Sequence, residues 1–171
     1  MRGVLMNLRA ALTVWDTQMV HGDLKPTNGL FAPDSFLLIH KVLLDLDFNV
    51  QPVDIDPSMV HVTDYGLIYY SAIQDTRRPG TFPYMAPEVR ETGSLSANSD
   101  IWSLGFMGYE LALGYRVHCD SGEAFDGGWA RVRADHGSSV EQILMACLQR
   151  HPEIRYTFEQ LEAALGAAIQ F

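Results

Sequence analysis

The sequence has few of the features that mark disulfide-rich, membrane-spanning or nucleic-acid-binding proteins. It contains two cysteines, Cys119 and Cys147, which are far apart and belong to no CxxC or Cys/His pattern, so neither a disulfide framework nor a zinc site is expected. No run of about 18 apolar residues is present, and no membrane span is therefore expected. The formal net charge of -9 disfavours nucleic acid and anionic membranes as main partners, because both require a basic surface.

The chain has the size and composition of one globular domain. Its 171 residues are 47% hydrophobic and 19% charged, which is typical of soluble domains that need no covalent reinforcement. Apolar residues recur at helical spacing between residues 3 and 18, which predicts an amphipathic helix. Short strands are predicted near 29–32 and 59–63. The intervening stretch at about 34–57 fits neither period and is interpreted as an insertion.

The second half of the sequence is predicted to be helical. The stretch SDIWSLGFMGYELALG is apolar almost all round, which predicts a buried central helix with Ser99 as its N-cap and Gly114 at its C-terminal end. Two capping boxes, Ser138-x-x-Glu141 and Thr157-x-x-Gln160, predict the starts of two shorter helices. The inward faces of these helices are expected to carry the apolar side chains Ile143, Leu144, Leu148, Phe158, Leu161 and Leu165.

Polar residues with a shared chemistry surround the two predicted strands. The stretch HGDLKPTN places Asp23, Lys25 and Asn28 on one loop before the first strand, and Asp64 follows the second. If the strands pair, the two carboxylates and the amide converge, and this is a ligand set that suits Mg²⁺ carrying phosphate oxygens. Lys25 adds a cation for a transferring phosphoryl group, and Asp23 can deprotonate a hydroxyl nucleophile. The spacing therefore predicts phosphoryl transfer; simple turn chemistry is the alternative.

Five motifs, in this order along the chain, resemble those of eukaryotic-type protein kinases. HGDLKPTN resembles the catalytic loop, DYG the metal-binding triplet, APE the end of the activation segment and DIWSLG the central helix. CLQRHPEIRYTFEQL resembles the penultimate helix and the arginine-bearing loop after it. The resemblance covers nearly all of residues 1–171 except about 34–57. It implies a mainly α fold with a small β-hairpin, and a serine/threonine protein kinase that uses ATP and Mg²⁺ on a protein substrate.

The resemblance implies a role for individual residues. Asp23 would be the catalytic base, and Lys25 would contact the γ-phosphate. Thr81 matches the threonine that bonds this Asp and Lys in serine/threonine kinases, and the stretch LKPTN also favours that class over tyrosine kinases. By the same resemblance, Asn28 and Asp64 would bind magnesium, and Leu30 would form the floor under adenine. His21 and Tyr65 would belong to the hydrophobic column that joins the lobes, and Gly66 would form part of the DYG turn. Asp100 would anchor the backbone of the catalytic loop, and Glu88 would form an ion pair with Arg155.

The sequence departs from the kinase pattern in three respects, one of which is the insertion at about 34–57. Twenty residues precede His21, and no GxGxxG or VAIK-like string occurs, so the chain is interpreted as the C-terminal lobe with the N-terminal lobe absent. Negligible activity is expected from this polypeptide alone, since losing one electrostatic contributor typically costs about 10²–10³ in rate. The uncovered lobe-facing surface, including Leu30 and Tyr65, is expected to favour association with a partner. Many kinases have an Arg at the position of Gly22, and that Arg binds a phosphate group on the activation segment. Gly has no side chain to bind it, so activation by phosphorylation of this segment is not expected.

Two other functions fit part of the pattern. A pseudokinase-like scaffold would use the helical lobe to bind a partner, but it has no chemical need for Asp23, Asn28 and Asp64. A small-molecule phosphotransferase of the aminoglycoside or choline kinase type shares the HGD stretch followed by Asn. Such enzymes lack the APE and DxWSxG elements and the late arginine that this sequence contains.

Overall fold

The computed structural model describes most of the C-terminal half of the chain and short segments before it. The described residues are 19–25, 29–31, 60–62, 69–70, 80–117 and 128–169. The predicted helix over 3–18 and the insertion at 34–57 lie outside them. The described part is mainly helical, as the sequence predicts.

Two pairs of short antiparallel strands come before the helices. The strands are β1 (Met19–Val20), β2 (Gly29–Phe31), β3 (Val60–Val62) and β4 (Tyr69–Tyr70). β1 pairs with β4, and β2 pairs with β3 so that Gly29 lies opposite Val62. The strands predicted near 29–32 and 59–63 are therefore both present and paired. The chain that joins β2 to β3 lies outside the described residues.

The longest helix of the described part is central, and three of the other helices pack against it. They are α1 (Pro87–Thr92), α2 (Ala97–Leu113), α3 (Trp129–His136), α4 (Ser138–Cys147) and α5 (Phe158–Ile169), with 3-10 turns at Phe82–Tyr84 and Pro152–Ile154. α2 packs against α3, α4 and α5. Most of its aromatic and aliphatic side chains are buried, as its largely apolar sequence predicts, and Met107 and Leu111 are partly buried.

The ends of α2 are fixed by a serine pair and a glycine. Ser96, rather than the predicted Ser99, is the N-cap, because Ala97 and Asn98 already have helical backbone. Ser99 is the third helical residue, and its Oγ accepts the Ser96 N–H at 3.1 Å, so the two serines satisfy each other. Gly114 ends the helix in the left-handed conformation (φ 77°), as expected of a glycine C-cap.

One of the two predicted capping boxes forms and the other does not. At the start of α5, Thr157 N–H donates to Gln160 Oε1 (2.9 Å) and Gln160 N–H donates to Thr157 Oγ1 (3.3 Å). At the start of α4, Gly137 is the N-cap, so Ser138 lies inside the first turn and the predicted box is wrong. Glu141 instead receives two hydrogen bonds from Arg133, at 2.6 and 2.8 Å.

The apolar faces of α4 and α5 close the core. All six side chains predicted to point inward are buried. α2 approaches α4 closely at Gly105, where a Cβ atom would lie 2.5 Å from the Cβ of Cys147. The core therefore holds α2 in a fixed position, and the N-terminal turn of α2 reaches the loop that carries Asp23.

Candidate active site

The loop after β1 is tied to the N-terminal turn of α2 through one buried carboxylate. Asp100 is 1% exposed, and its Oδ2 and Oδ1 accept the backbone N–H groups of His21 (2.7 Å) and Gly22 (3.0 Å). Burial raises the pKa of Asp100 to about 7, although the two N–H donors act in the opposite direction. Gly22 has φ 77°, a backbone conformation that glycine adopts without steric cost. Asp100 follows His21 by 79 positions and Gly22 by 78 in the sequence, and the fold joins them directly.

Asp23 follows this anchor and is itself buried, and it lies in a cluster with the partly buried side chains of Lys25 and Thr81. Lys25 Nζ lies 2.6 Å from Asp23 Oδ2, and Thr81 Oγ1 donates to Asp23 Oδ1 at 2.8 Å. Lys25 Nζ also donates to Thr81 Oγ1 at 2.9 Å, so the three side chains close a triangle. The Asp23 N–H donates to His21 Nδ1 at 3.3 Å, and His21 is fully buried. The cluster therefore has a fixed geometry on both sides of the carboxylate.

Thr81 reaches the cluster because the turn that follows it is fastened to α2. Tyr84 N–H donates to Thr81 O at 2.9 Å, which closes the 3-10 turn. Ser103 Oγ donates to Tyr84 O at 2.8 Å, and the Tyr84 hydroxyl donates to Glu110 Oε2 at 2.9 Å. Burial and the nearby Glu110 carboxylate raise the pKa of Tyr84 above its usual range, so the phenol remains a donor.

A buried ion pair fixes the other end of the same segment. Arg155 Nη1 and Nη2 donate to Glu88 Oε1 (2.8 Å) and Oε2 (3.0 Å), and the Arg155 side chain has no exposed surface. Arg155 also donates to the carbonyls of Gln149 (3.0 Å) and Asn98 (2.5 Å). Its guanidinium lies 5.2 Å from the ring centroid of Trp102. The segment from Thr81 to Glu88 is therefore held at both ends by groups on or after α2.

This arrangement supplies a base beside a cation. A carboxylate whose two oxygens are bonded on defined sides can take a proton only from a hydroxyl that approaches along its remaining lone pairs. The Lys25 side chain is 23% exposed, and its ammonium neutralises negative charge near that carboxylate. The combination suits the deprotonation of a hydroxyl beside an anionic group.

The structure describes some of the predicted site residues and not others. It brings together His21, Asp23, Lys25, Thr81 and Asp100, and it pairs Glu88 with Arg155. Leu30 lies in β2 opposite His61. Asn28, Asp64, Tyr65 and Gly66 lie outside the described residues. Among the residues that are described, no group of three His, Cys, Asp or Glu side chains is placed to hold a metal.

Sequence reasoning missed the contribution of Tyr84 and Glu110. Glu110 is 2% exposed, and its Oε1 also accepts the Val117 N–H at 2.9 Å. A signal was present, because Glu110 is an acid inside an otherwise apolar helical stretch, and a buried acid requires hydrogen-bond partners. The partner Tyr84 stands immediately before the MAPE stretch, where no local pattern indicates a contact 26 residues away.

Comparison with known proteins identifies the family of the chain. A profile described as the protein kinase domain matches residues 4–164. The chain therefore belongs to the protein kinase domain family, as the motif resemblance implied. Within the described residues, no helix is long and apolar enough to cross a membrane.

Individual relatives cover most of this chain. The probable L-type lectin-domain containing receptor kinase VII.2 of Arabidopsis thaliana is 27% identical over 86% of the chain. The probable serine/threonine-protein kinase mps1 of Dictyostelium discoideum is 28% identical over 90% of it, and the serine/threonine-protein kinase A of Synechocystis sp. is 28% identical over 80%. The chain spans 22%, 16% and 25% of the length of these three relatives, respectively.

Proposed function

We propose that this chain carries the catalytic machinery of a serine/threonine protein kinase, which transfers the γ-phosphoryl group of ATP to a hydroxyl of a protein substrate. The observation that carries the proposal is the closed triangle of Asp23, Lys25 and Thr81. Family membership alone would fit an inactive relative equally well. Desolvating a carboxylate and an ammonium costs free energy that their attraction only partly offsets, so a catalytic role accounts for this pair better than a stabilising one.

In this proposal Asp23 orients and deprotonates the attacking hydroxyl. Its backbone is fixed by the His21 contact and by the two N–H bonds of the preceding residues to Asp100. Its carboxylate is fixed by Lys25 and Thr81, so it needs little reorganisation when the hydroxyl arrives. A base positioned in this way typically contributes about 10²–10⁴ in rate.

Lys25 acts on the group being transferred. Its ammonium already neutralises Asp23, and its exposed fraction lets a γ-phosphate oxygen approach from solvent. A fixed cation at that point stabilises the negative charge that builds up on the phosphoryl oxygens. Thr81 keeps Lys25 and Asp23 at hydrogen-bond distance while the substrate binds.

ATP would bind with Mg²⁺ held by Asn28 and Asp64. Their amide and carboxylate oxygens are hard donors of the type that Mg²⁺ prefers. Gly29, which follows Asn28 directly, pairs with Val62, which precedes Asp64 by two residues. Asn28 and Asp64 lie outside the described residues, and we propose that their two donors lie together at the end of the strand pair where Gly29 meets Val62. When bound, the metal would neutralise the phosphates and orient the γ-phosphoryl group.

The preference for serine and threonine rests on Thr81 and on the LKPTN stretch. Two relatives are named as serine/threonine-protein kinases, which favours the same substrate class. Gly22 offers no side chain that could bind a phosphate on the activation segment, and its φ of 77° disfavours an arginine there. We therefore propose that activation-segment phosphorylation does not switch this protein.

The 171-residue polypeptide by itself is proposed to turn over very slowly. Its sequence contains no glycine-rich phosphate loop and no lysine in a VAIK-like strand, and both groups normally clamp ATP. A partner or chain segment that covers the side of β2 and β3 would complete the nucleotide site. Fusing the upper lobe of the Synechocystis kinase before residue 1 tests this idea directly.

The experiment offers this fusion Mg-ATP with four acceptors: a serine/threonine peptide, a tyrosine peptide, choline and an aminoglycoside. We expect transfer to the first acceptor and little to the other three. Transfer to choline or the aminoglycoside would indicate a small-molecule phosphotransferase. No transfer to any acceptor, with ATP bound, would indicate a binding scaffold. An Asp135→Asn variant, which changes an exposed acid on α3, is the matched control and should transfer phosphate like the unaltered fusion.

A further inference from the structure

Two glycines meet where the loop carrying Asp23 approaches the segment carrying Thr81. Gly80 has φ 123°, a region that residues with a side chain rarely adopt. A Cβ atom at position 80 would lie 2.9 Å from the Gly22 carbonyl oxygen and 3.4 Å from Met85 Cε. The first of these neighbours is backbone, so the contact cannot be relieved by turning a flexible side chain.

The Gly22 side of this contact is not free to move. Its N–H donates to the buried Asp100 at 3.0 Å, and the adjacent His21 N–H donates to the same carboxylate at 2.7 Å. Asp100 lies on the N-terminal turn of α2, the most deeply packed helix of the described part. A side chain at position 80 would therefore displace the 80–81 segment rather than the loop.

A displaced 80–81 segment takes Thr81 away from its partners. Thr81 Oγ1 lies 2.8 Å from Asp23 Oδ1 and 2.9 Å from Lys25 Nζ. Hydrogen bonds of this type weaken beyond about 3.2 Å, so a shift of a few tenths of an ångström is sufficient to loosen both. We infer that Gly80 is a positioning residue, whose missing side chain allows Thr81 to lock Lys25 onto Asp23. This inference deepens the proposed function and rests on it.

The chain offers a specific readout of this lock. It contains only two lysines, Lys25 and Lys41, so an amine-reactive reagent followed by peptide mass spectrometry reports each one separately. The Lys25 side chain is 23% exposed and is held by Asp23 and Thr81, so its amine should react more slowly in the folded chain than in the urea-unfolded chain, with Lys41 as the internal reference for labelling. In Gly80→Ala we expect the Lys25:Lys41 labelling ratio to rise about tenfold, the factor for losing one hydrogen bond to a charged group.

Gly93→Ala is the matched control. Gly93 also has a left-handed φ (75°), but a Cβ atom there would meet nothing within 4 Å. Both substitutions strain the backbone, and only the one at position 80 adds a collision beside the cluster. Cys147, which is 1% exposed, reports whether the core stays closed, because its alkylation requires the core to open.

The inference requires a higher Lys25 ratio in Gly80→Ala, with Cys147 still protected and with Gly93→Ala like the unaltered chain. An unchanged ratio in Gly80→Ala, an equal rise in Gly93→Ala, or simultaneous exposure of Cys147 would each overturn it. Thr81→Val separates this failure from failure of the proposed function. If Thr81→Val also leaves Lys25 protected, the triangle itself is absent; if it raises the ratio while Gly80→Ala does not, only the role of Gly80 is wrong.

Discussion

Replacing Arg155 by Met should remove much of the stability of the helical part. The Arg155 side chain is fully buried, and the Glu88 side chain is 13% exposed. Methionine fills part of the volume but offers no donors, so from the described residues the Glu88 carboxylate would keep only the bond from Ser99 Oγ at 3.2 Å. The carbonyls of Gln149 and Asn98 would also lose a donor.

The size of the expected stability loss follows from the burial of the ion pair between Arg155 and Glu88. Removing one partner of a buried ion pair typically costs about 3–5 kcal/mol, because the remaining charge is left without compensation. Domains have a free energy of unfolding of about 5–15 kcal/mol, so Arg155→Met should approach the limit of folding at room temperature. Arg155→Lys keeps the charge but loses the two-pronged geometry, so it should cost less.

Urea unfolding followed by tryptophan fluorescence measures these changes. Trp102 lies against Arg155 and should report the transition directly. The double variant Glu88→Gln with Arg155→Met should be more stable than the sum of the two single losses predicts, because no uncompensated charge remains. Arg150→Met is the control, since Arg150 and Glu91 form an exposed pair with 61% and 57% of their side chains accessible. A loss below about 1 kcal/mol in Arg155→Met, or strict additivity in the double variant, would refute the reasoning.

Three further predictions concern glycine, thiol and carboxyl chemistry. Gly22→Ala should lower the free energy of unfolding by about 1 kcal/mol, because φ is 77° at this position. Gly166→Ala should raise it by about 0.5–1 kcal/mol, because this position lies within α5 and a Cβ atom there meets nothing within 4 Å. The midpoints of urea unfolding measure both changes. Burial raises the pKa of Cys147 to about 12, so in a Cys119→Ser background the folded chain should resist alkylation at pH 8 and become reactive on unfolding. Burial raises the pKa of Asp100 from 3.8 to about 7, so its stabilising contribution should be complete below about pH 4 and be lost as pH rises through 7. Asp100→Asn should flatten stability against pH in that range, and an unchanged slope would contradict this assignment.

The helical fold was predictable because its signals are local. The apolar stretch around Trp102 predicts α2, and the Thr157 box predicts the start of α5, since both depend on residues within one or two turns. The prediction failed at Ser138 because Gly137, with φ 88°, takes the N-cap position. The prediction of Ser99 as the N-cap failed for a similar reason, because Ser96 can also accept an N–H and only the backbone decides which serine begins the helix.

The candidate site was predictable only through motifs. Nothing local indicates that Thr81 meets Asp23 and Lys25, which are more than fifty positions away; the resemblance alone suggested this contact, and the hydrogen bonds are present. The Tyr84–Glu110 hydrogen bond and the close approach of Gly80 to the Gly22 carbonyl oxygen were not predicted. Both depend on how the segment after residue 80 packs on α2, which no sequence period encodes.

The central claim is that Asp23 acts as the base of a phosphoryl transfer to serine or threonine. The most direct test measures the rate of phosphate transfer from Mg-ATP to a serine peptide by the upper-lobe fusion and by its Asp23→Asn variant, at saturating ATP. We expect a loss of about 10²–10⁴ in kcat, with ATP binding retained, because Asn cannot accept the proton. An Asp23→Asn variant that transfers phosphate as fast as the unaltered fusion would contradict it.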